Sequence, residues 1–409
     1  MLKTGRINIS RSTFYIILFS IVFSAGLMNS IDFINLIGLN ELNTVVRIVF
    51  YLLLVSLFFL LLIKNILIRK TILPETFPYW IMLLFAVLFN FFILFIQKPS
   101  GLLPGGAYFF ELFHFISILS IMIILASVIE TLNGIKVAIW GLGLGAAFSA
   151  LIPFLFPEMI GSREAEFQGH YFIGGFWNSA VISYISVGWL MVSLSSVEKS
   201  KVKRLFLISL FLIMAFGGLA GLSRATLLSV IVSVCVYLVF AKKIKKYIKV
   251  IISGLIIILL VLTLFPDLVL NFSERLEGGI EIEDESRTKI WIDYLEDLPS
   301  YFLFGALDGD YTKYSIFGMG PHSTILNWLS QYGILGLLGF VILIIGFVSS
   351  IKNIKKLFPV ETTAALYAWL AAYLSVALIN ETGFKQLTVF TAFGIILAWG
   401  NVSKKSIKK

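Results

Sequence analysis

Apolar runs long enough to cross a membrane recur from one end of this 409-residue chain to the other. A helix needs about 20 residues to cross the hydrocarbon core of a bilayer. Hydrophobic residues make up 59% of the chain and charged residues only 13%, which excludes a soluble globular domain. We therefore predict an all-α polytopic membrane protein of about 12 transmembrane helices. The predicted spans are 13–29, 45–63, 79–97, 106–129, 136–156, 173–195, 205–220, 222–240, 248–269, 322–348, 361–379 and 384–400.

The net charge of +9 is distributed as a topology signal and predicts no nucleic-acid partner. Lysine and arginine accumulate on the cytoplasmic side of membrane helices. With twelve spans, all the basic clusters fall on one side, and both termini are predicted in the cytoplasm. The N-terminus resembles a signal peptide, but the many spans after it favour an uncleaved first helix. The clusters are 3–11, 64–70, 199–204, 241–249, 349–356 and 403–409.

This topology leaves two long polar loops on the outer side, at 157–172 and 270–321. The inward loops are small and basic, so any chemistry is expected at the outer face. The predicted organisation is nine helices within 1–269, an extracytoplasmic loop at 270–321 and three helices within 322–409.

The longer loop contains a predicted amphipathic helix that lies along the membrane interface. Pro299 and Gly305 mark the end of this segment. Its apolar face is predicted from residues at helical spacing, namely Ile290, Trp291, Tyr294, Leu295 and Leu298.

Four basic residues are predicted to converge at the outer boundary: Arg163, Arg224, Arg287 and His322. Arg224 begins the eighth span, where an arginine is costly unless it is paired. Arginine binds phosphate oxygens with a rigid fork of donors, and it can stabilise a diphosphate leaving group without a metal. A histidine beside it can accept the proton of an attacking hydroxyl near neutral pH.

The segment PHSTILNWLSQYGILGLLGF resembles the histidine-containing signature of the O-antigen polymerase and O-antigen ligase superfamily. The matching residues are His322, Ser323, Leu326, Gly333, Ile334 and Gly336. Upstream, SRTKIWIDYL and the following turn resemble the Arg-x-x-x-Trp and Pro…Gly segment of that family. Those residues are Arg287, Trp291, Pro299 and Gly305.

Two further segments resemble the same superfamily. GLSRATLLSV is similar to its Ser-Arg at the head of a middle span. GHYFIGGFWNSAVIS is similar to a degenerate version of its Asn-Pro-Asn segment, with Trp177, Asn178 and Ser179 in that place. Ser323 also stands where asparagine is commoner. These departures concern acceptor recognition more than the core chemistry.

The resemblance implies a metal-independent, inverting glycosyltransferase with a GT-C-like fold and no cofactor. Its partners would be a polyprenyl-diphosphate-linked glycan donor, a glycan acceptor and the bilayer, together with a chain-length regulator and a flippase. His322 would be the base, and Arg224, Arg287 and Arg163 would hold the diphosphate at the outer face of a bacterial cytoplasmic membrane.

Each of these residues also has a structural interpretation. His322 could bond a loop carbonyl at a helix start, and Arg224 could extend to the headgroups from the helix end. Arg287 could pair with a neighbouring glutamate in 283–285. Arg163 could pair with a glutamate in 164–166, which is the interpretation we favour for it on the residues alone.

Three smaller features have predicted structural roles. Gly141 and Gly145 in GLGLG are predicted to allow close helix contact. The Asp-Gly-Asp sequence at 308–310 resembles a metal-binding motif, but its outward position favours a solvated turn. Cys235, the only cysteine, lies within a span and is predicted to be a packing residue.

Two versions of the enzyme remain open. A polymerase adds the growing chain to the next lipid-linked repeat of an O-antigen, capsular polysaccharide or exopolysaccharide, whereas a ligase transfers the finished chain to lipid A core or another acceptor. Arg163, Gly169 and Gly174 in the first outward loop favour the polymerase. A flippase for the same lipid predicts ionisable residues near the midplane and broken, repeated helices. A cell-envelope scaffold predicts that His322 is dispensable.

Overall fold

The computed structural model describes 10–27, 40–67, 77–97, 107–155, 172–220, 224–242, 288–306, 310–316, 318, 320–321, 323–379 and 386–408. Within these residues, all regular structure is helical. The first eight helices are α1 Arg11–Leu27, α2 Asn40–Leu67, α3 Ile81–Gln97, α4 Ala107–Val128, α5 Leu132–Leu155, α6 Phe172–Val197, α7 Lys201–Ala220 and α8 Arg224–Ala241. The others are α9 at 288–296, α10 Leu298–Tyr301, α11 Thr324–Lys355, α12 Val360–Ile379 and α13 Leu387–Lys408.

The positions of the helices agree with the predicted spans. Each predicted span except the ninth coincides with a helix, and the ninth, 248–269, lies outside the described residues. Among the residues that the structure describes, three segments are long and apolar enough to cross a membrane: Leu132–Leu151, Thr324–Lys355 and Leu387–Ile407. Several shorter apolar helices accompany them. The fold is therefore that of an all-helical protein with the properties of a membrane protein.

The predicted glycine contact is confirmed between α1 and α5. A Cβ on Gly145 would overlap the carbonyl oxygen of Phe23, and one on Gly141 would lie 3.0 Å from that of Phe19. From the other side, a Cβ on Gly26 would lie 2.6 Å from the carbonyl oxygen of Leu142. The two backbones approach this closely only because glycine has no side chain. Both helices continue through the contact without interruption.

The core at the C-terminal end of the chain is built from aromatic rings of α11, α12 and α13. Phe347 stacks on Trp369 with ring centroids 4.7 Å apart, and Phe393 meets both rings edge-on. Tyr373 meets Phe393 edge-on as well, at 5.6 Å. All four side chains are fully buried. Edge-to-face and offset-stacked pairs contribute stability beyond the area they bury, so these three helices form a rigid unit.

The prediction for Cys235 can be checked against the fold. Cys235 is exposed on the surface of α8, so its assignment as a packing residue was wrong. An apolar helix that presents its outer side to lipid places a small apolar residue there at no cost.

At the basic end of the bundle, Lys136 and Glu198 form an ion pair of 2.7 Å, and Arg204 donates to the carbonyl of Glu198. These contacts join α5, α6 and the start of α7.

Candidate functional site

The predicted basic residues lie at the limits of what the structure describes. His322, Arg287 and Arg163 lie outside the described residues, as does the side chain of Arg224, whose backbone begins α8. The segments next to Arg287 and His322 are described, at 288–306 and 323–333. They show how the segment 288–306 meets the start of α11.

The predicted amphipathic helix is present as α9, followed after one turn residue by the short helix α10. Ile290 and Tyr294 are buried, and Trp291 and Leu298 are half-buried, as predicted. Leu295 is exposed, so its place on the apolar face was wrong. Successive residues are separated by about 100° around a helix, so Leu295 lies about 100° from Tyr294, at the edge of the face beyond Leu298 and Trp291.

A cluster of tyrosines forms a small separate core beneath α9 and α10. The rings of Tyr301 and Tyr314 lie 4.6 Å apart, and Tyr294 meets both edge-on. The Tyr294 hydroxyl donates to the carbonyl of Tyr311 at 2.8 Å, and the Tyr301 hydroxyl donates to the carbonyl of Tyr294. Leu329 of α11 belongs to the same buried cluster. The described parts of the segment 290–314 are therefore attached to α11 through a packed core.

Two polar groups, the Tyr301 hydroxyl and the Asp293 carboxylate, add hydrogen bonds around this small core. Burial raises the pKa of the Tyr301 phenol above its ordinary value, with the charges of Tyr314 and Asp297 adding to the effect. The hydroxyl therefore stays protonated and keeps donating its hydrogen bond. The Asp293 carboxylate accepts from the backbone N–H of Ile316 at 3.0 Å, which ties α9 to the loop that leads to α11.

Asp310 has the turn role predicted for the Asp-Gly-Asp sequence. It is exposed, and its carboxylate accepts from the backbone N–H of Thr312 at 3.2 Å and from the Thr312 hydroxyl at 2.7 Å. These bonds cap the 3-10 turn Tyr311–Tyr314. The other two residues of the sequence, 308 and 309, lie outside the described residues.

A hydrogen bond joins the two segments that carry the predicted motifs. The indole Nε1–H of Trp291 donates to the carbonyl oxygen of Pro321 at 2.7 Å. Trp291 is the fourth residue after Arg287, and Pro321 immediately precedes His322. The bond therefore connects the chain next to one predicted functional residue with the chain next to the other, across 30 positions of sequence.

The helix α11 is broken at Gly333, a feature that the sequence analysis did not predict. Gly333 has φ 66° and ψ −167°. In an unbroken helix, the N–H of Ile334 would donate to the carbonyl of Ser330. Here the Ile334 N–H donates instead to the carbonyl of Phe302, and the Ser330 carbonyl accepts from the N–H of Ala306, both at 2.7 Å. The segment 302–306 has taken the place of the missing helical bond.

A second glycine lies opposite the break. Gly305 also has a positive φ, of 76°, and a Cβ on it would overlap the backbone of Gln331. A Cβ on Gly333 would in turn overlap the carbonyl of Leu303. Gly305 belongs to the Arg-x-x-x-Trp and Pro…Gly motif, and Gly333 belongs to the histidine-containing motif. The two glycines allow the segment 302–306 and helix α11 to make direct backbone contact.

Asn90 of α3 also bonds at this junction, the contact between the break in α11 and the segment 302–306. Asn90 was not identified from the sequence. Its side-chain amide donates to the carbonyl of Gln331 at 2.8 Å and to that of Phe304 at 3.3 Å. One buried side chain therefore donates to a carbonyl in each of the two segments that meet at the break. The signal was available in the sequence, because Asn90 is the only polar residue in the run FAVLFNFFILF. An amide within an apolar span predicts a buried hydrogen-bond partner.

The two halves of α11 differ in burial and polarity. Before the break, five polar residues are buried: Ser323, Thr324, Asn327, Ser330 and Gln331. After the break, the helix is mostly apolar and exposes one side, with Leu338, Val341 and Ile345 on the surface. The first half therefore lies inside the protein, and it begins two residues after His322.

Comparisons with known proteins add no assignment to this geometry. No protein-family model matches the chain, and no curated protein sequence matches it significantly. What the fold contributes is the junction itself: the described parts of the two motifs meet at Trp291 and Pro321 and at Gly305 and Gly333.

Proposed function

We propose that this protein is a glycosyltransferase of the bacterial cytoplasmic membrane that polymerises polyprenyl-diphosphate-linked oligosaccharide repeat units. The proposal includes about twelve spans in a GT-C-like arrangement, with both termini in the cytoplasm and the reaction at the outer face. It builds on the resemblance to the O-antigen polymerase and ligase superfamily and on the positions of the charged clusters.

The observation that carries the proposal is the bond from Trp291 to the Pro321 carbonyl. A catalytic base and a group that holds the leaving diphosphate must stay in fixed relation to each other. In this chain the two candidates, His322 and Arg287, are far apart in sequence, but His322 directly follows Pro321 and Arg287 precedes its bonded partner Trp291 by four positions. The tyrosine core and the junction at Gly333 hold the same two segments together on either side.

The proposed chemistry uses only groups of the chain and its substrates. The His322 imidazole accepts the proton of an acceptor hydroxyl, and that oxygen forms a bond to the anomeric carbon of the donor. The bond between the anomeric carbon and the phosphate oxygen breaks with inversion, and polyprenyl diphosphate leaves with the electron pair. Arg224, Arg287 and Arg163 stabilise the negative charge that grows on the diphosphate.

The broken helix invites comparison with transporters, which use discontinuous helices to hold their substrates. In transporters the freed backbone groups at a break face the substrate or ion. Here the freed groups of Ser330, Gln331 and Ile334 are bonded to the segment 302–306 or to Asn90. A break whose backbone groups are occupied favours a structural junction, and so it favours the transferase over the flippase.

The test is complementation of a host that lacks this gene, with His322→Ala compared with the wild type. Lipid-linked intermediates and surface glycan are separated by size on a gel. The proposal predicts that His322→Ala reaches the membrane in normal amount yet accumulates single repeat units. Lys289→Ala is the matched control, because Lys289 is an exposed cation beside Arg287, and it should support normal polymer.

Other outcomes separate the alternatives. Long chains that remain on the lipid carrier when His322 is replaced would identify a ligase. Repeat units that accumulate on the cytoplasmic side would identify a flippase. Normal polymer from His322→Ala would contradict the proposed catalytic role.

A further inference from the structure

The segment Phe302, Leu303 and Phe304 presents its side chains to the surface although all three are large and apolar. Their exposed fractions are 39%, 57% and 44%. The segment belongs to the long polar loop that the sequence assigns to the outside of the membrane. Three consecutive exposed apolar residues are unfavourable in water and mark a surface with an apolar partner.

The level of this segment relative to the exposed apolar side of α3 indicates its depth in a membrane. Asn90 donates to the carbonyl of Phe304, so that carbonyl lies at the level of Asn90. The exposed apolar side of α3 extends on both sides of that level, with Phe85 and Leu88 before it and Phe95 and Ile96 after it. With a rise of 1.5 Å per residue, Ile96 lies about 9 Å beyond Asn90 along the helix. The segment is thus level with the interior of an apolar helix surface.

The apolar surface of the segment is continuous with that of α3. The ring of Phe304 lies 5.8 Å from the ring of Phe89. Phe89 and Phe85 stack on each other along α3 at 5.9 Å. The exposed triplet therefore extends the surface that α3 presents to lipid, and the same partner would cover both.

Much of the backbone in and around the segment is bonded within the protein. Within the bilayer, backbone polar groups must be satisfied by the protein itself. The N–H groups of Phe302, Gly305 and Ala306 donate to the carbonyls of Leu298, Tyr301 and Ser330. The carbonyls of Phe302 and Phe304 accept from Ile334 and Asn90. A loop in water would have no need of so many internal partners.

We infer that residues 302–304 re-enter the bilayer and contact the acyl chains of the leaflet that faces away from the basic clusters. The external segment thus penetrates the membrane and is held at that depth by the break in α11. The inference rests on α3, α11 and the exposed triplet, and it does not depend on the proposed enzymatic activity.

The test is the depth of a nitroxide at position 303 in the full-length protein, reconstituted in phospholipid vesicles. Leu303→Cys is made together with Cys235→Ser, so that one thiol is labelled. Collisions with oxygen, which concentrates in hydrocarbon, are compared with collisions with a water-soluble nickel chelate. Phe92→Cys on the exposed side of α3 is the lipid control, and Ser300→Cys, exposed on α10, is the aqueous control.

The inference predicts that position 303 behaves like position 92, with oxygen collisions well above those of the nickel chelate. A label that behaves like position 300 would overturn it. A label shielded from both reagents would also overturn it, because a protein surface such as a second copy of the chain would then cover the segment.

A second measurement uses the protein without substitution. Vesicles that contain a phospholipid with a photoreactive diazirine near the middle of its acyl chain are irradiated, and labelled peptides are sequenced. Lipid adducts on 302–304, together with adducts on α3, are expected. Adducts on α3 with none on 302–304 would contradict the inference even if the cysteine variants failed to fold.

Discussion

Glycines bring backbones together both where α1 meets α5 and where α11 meets the segment 302–306, and of these two contacts only the second breaks a helix. Where α1 meets α5, Gly26, Gly141 and Gly145 let two helices approach while both remain regular. Where α11 meets the segment 302–306, Gly305 and Gly333 have positive φ angles and the helical ladder is interrupted. The difference lies in the partners, because only the second contact supplies bonding groups from another part of the chain.

This difference has a thermodynamic basis. Interrupting a helix frees backbone groups whose burial without partners is costly. At Gly333 the groups of residues 302 and 306 and the amide of Asn90 replace the lost bonds. At Gly145 the backbone groups of the neighbouring helix are already bonded within that helix. The two helices therefore touch without exchanging backbone hydrogen bonds. A glycine permits a break, and the surrounding chain decides whether one forms.

Gly333→Ala should have the largest effect. Its φ and ψ lie in a region that is essentially restricted to glycine, and the new Cβ would overlap the Leu303 carbonyl. We expect a loss of about 3 kcal/mol or more in stability, from strain and displaced hydrogen bonds together. Thermal unfolding in detergent measures it.

Gly318→Ala is the control for Gly333→Ala. Gly318 has a φ of 61° with open space around its Cα. Gly318→Ala should lose only the stability that a non-glycine residue costs at a positive φ, about 1–2 kcal/mol. Equal losses for the two variants would show that the contact with Leu303 contributes nothing.

Gly145→Ala should have the next largest effect. The added methyl group would overlap the Phe23 carbonyl, which cannot move without shifting α1. We expect about 1–3 kcal/mol of destabilisation from this overpacking. On the same helix, a Cβ on Gly143 would meet only the flexible end of the Met191 side chain. Gly143→Ala should therefore cost less than about 1 kcal/mol, and the reverse order would refute the close backbone contact.

Asn90→Leu should have a moderate effect. It removes the donor from the carbonyls of Gln331 and Phe304 but keeps the size of the side chain. Side-chain hydrogen bonds within membranes contribute about 0.6 kcal/mol on average and up to about 1.7 kcal/mol each. We therefore expect a loss of about 1–2 kcal/mol, with faster hydrogen exchange of Ile334 and Ala306 than in the wild type. Phe92→Leu, on the exposed side of the same helix, should change neither.

Trp291→Phe should have the smallest effect on stability of these variants. Its effect on activity should be large compared with that loss of stability. It removes one N–H donor to Pro321 and keeps an aromatic ring, so the cost is about 1 kcal/mol. If the bond positions His322, glycan polymerisation should fall well beyond what reduced protein amount explains. Trp140→Phe is the control, because Trp140 stacks on Phe206 far along the chain from the motifs. Equal activity of the two variants at equal amounts would argue against a positioning role.

The sequence predicted the regular parts of this fold and missed the irregular ones, for physical reasons. Apolar length locates helices because the requirement for a bilayer span is local. The contact at Gly141 and Gly145 was predictable because small residues four apart form one stripe on a helix. The break at Gly333 was not, because it depends on a segment 30 residues away and on α3.

Single side chains show the same limit. Leu295 has the right residue type for the apolar face but lies at its edge on α9, where it is exposed. Asn90 could have been noticed as a lone amide in an apolar run, although its two partners could not have been named. The motif residues Trp291, Gly305 and Gly333 were identified from resemblance, while their mutual contacts required the fold.

The most direct test of the central claim is turnover by the purified full-length protein in vesicles. The substrate is a synthetic polyprenyl-diphosphate-linked repeat unit, and release of polyprenyl diphosphate is measured in the presence of a metal chelator. The account predicts release and chain growth by the wild type, and neither by His322→Gln at equal amounts of folded protein. Release by His322→Gln at the wild-type rate would contradict it, as would movement of the lipid across the membrane without any chain growth.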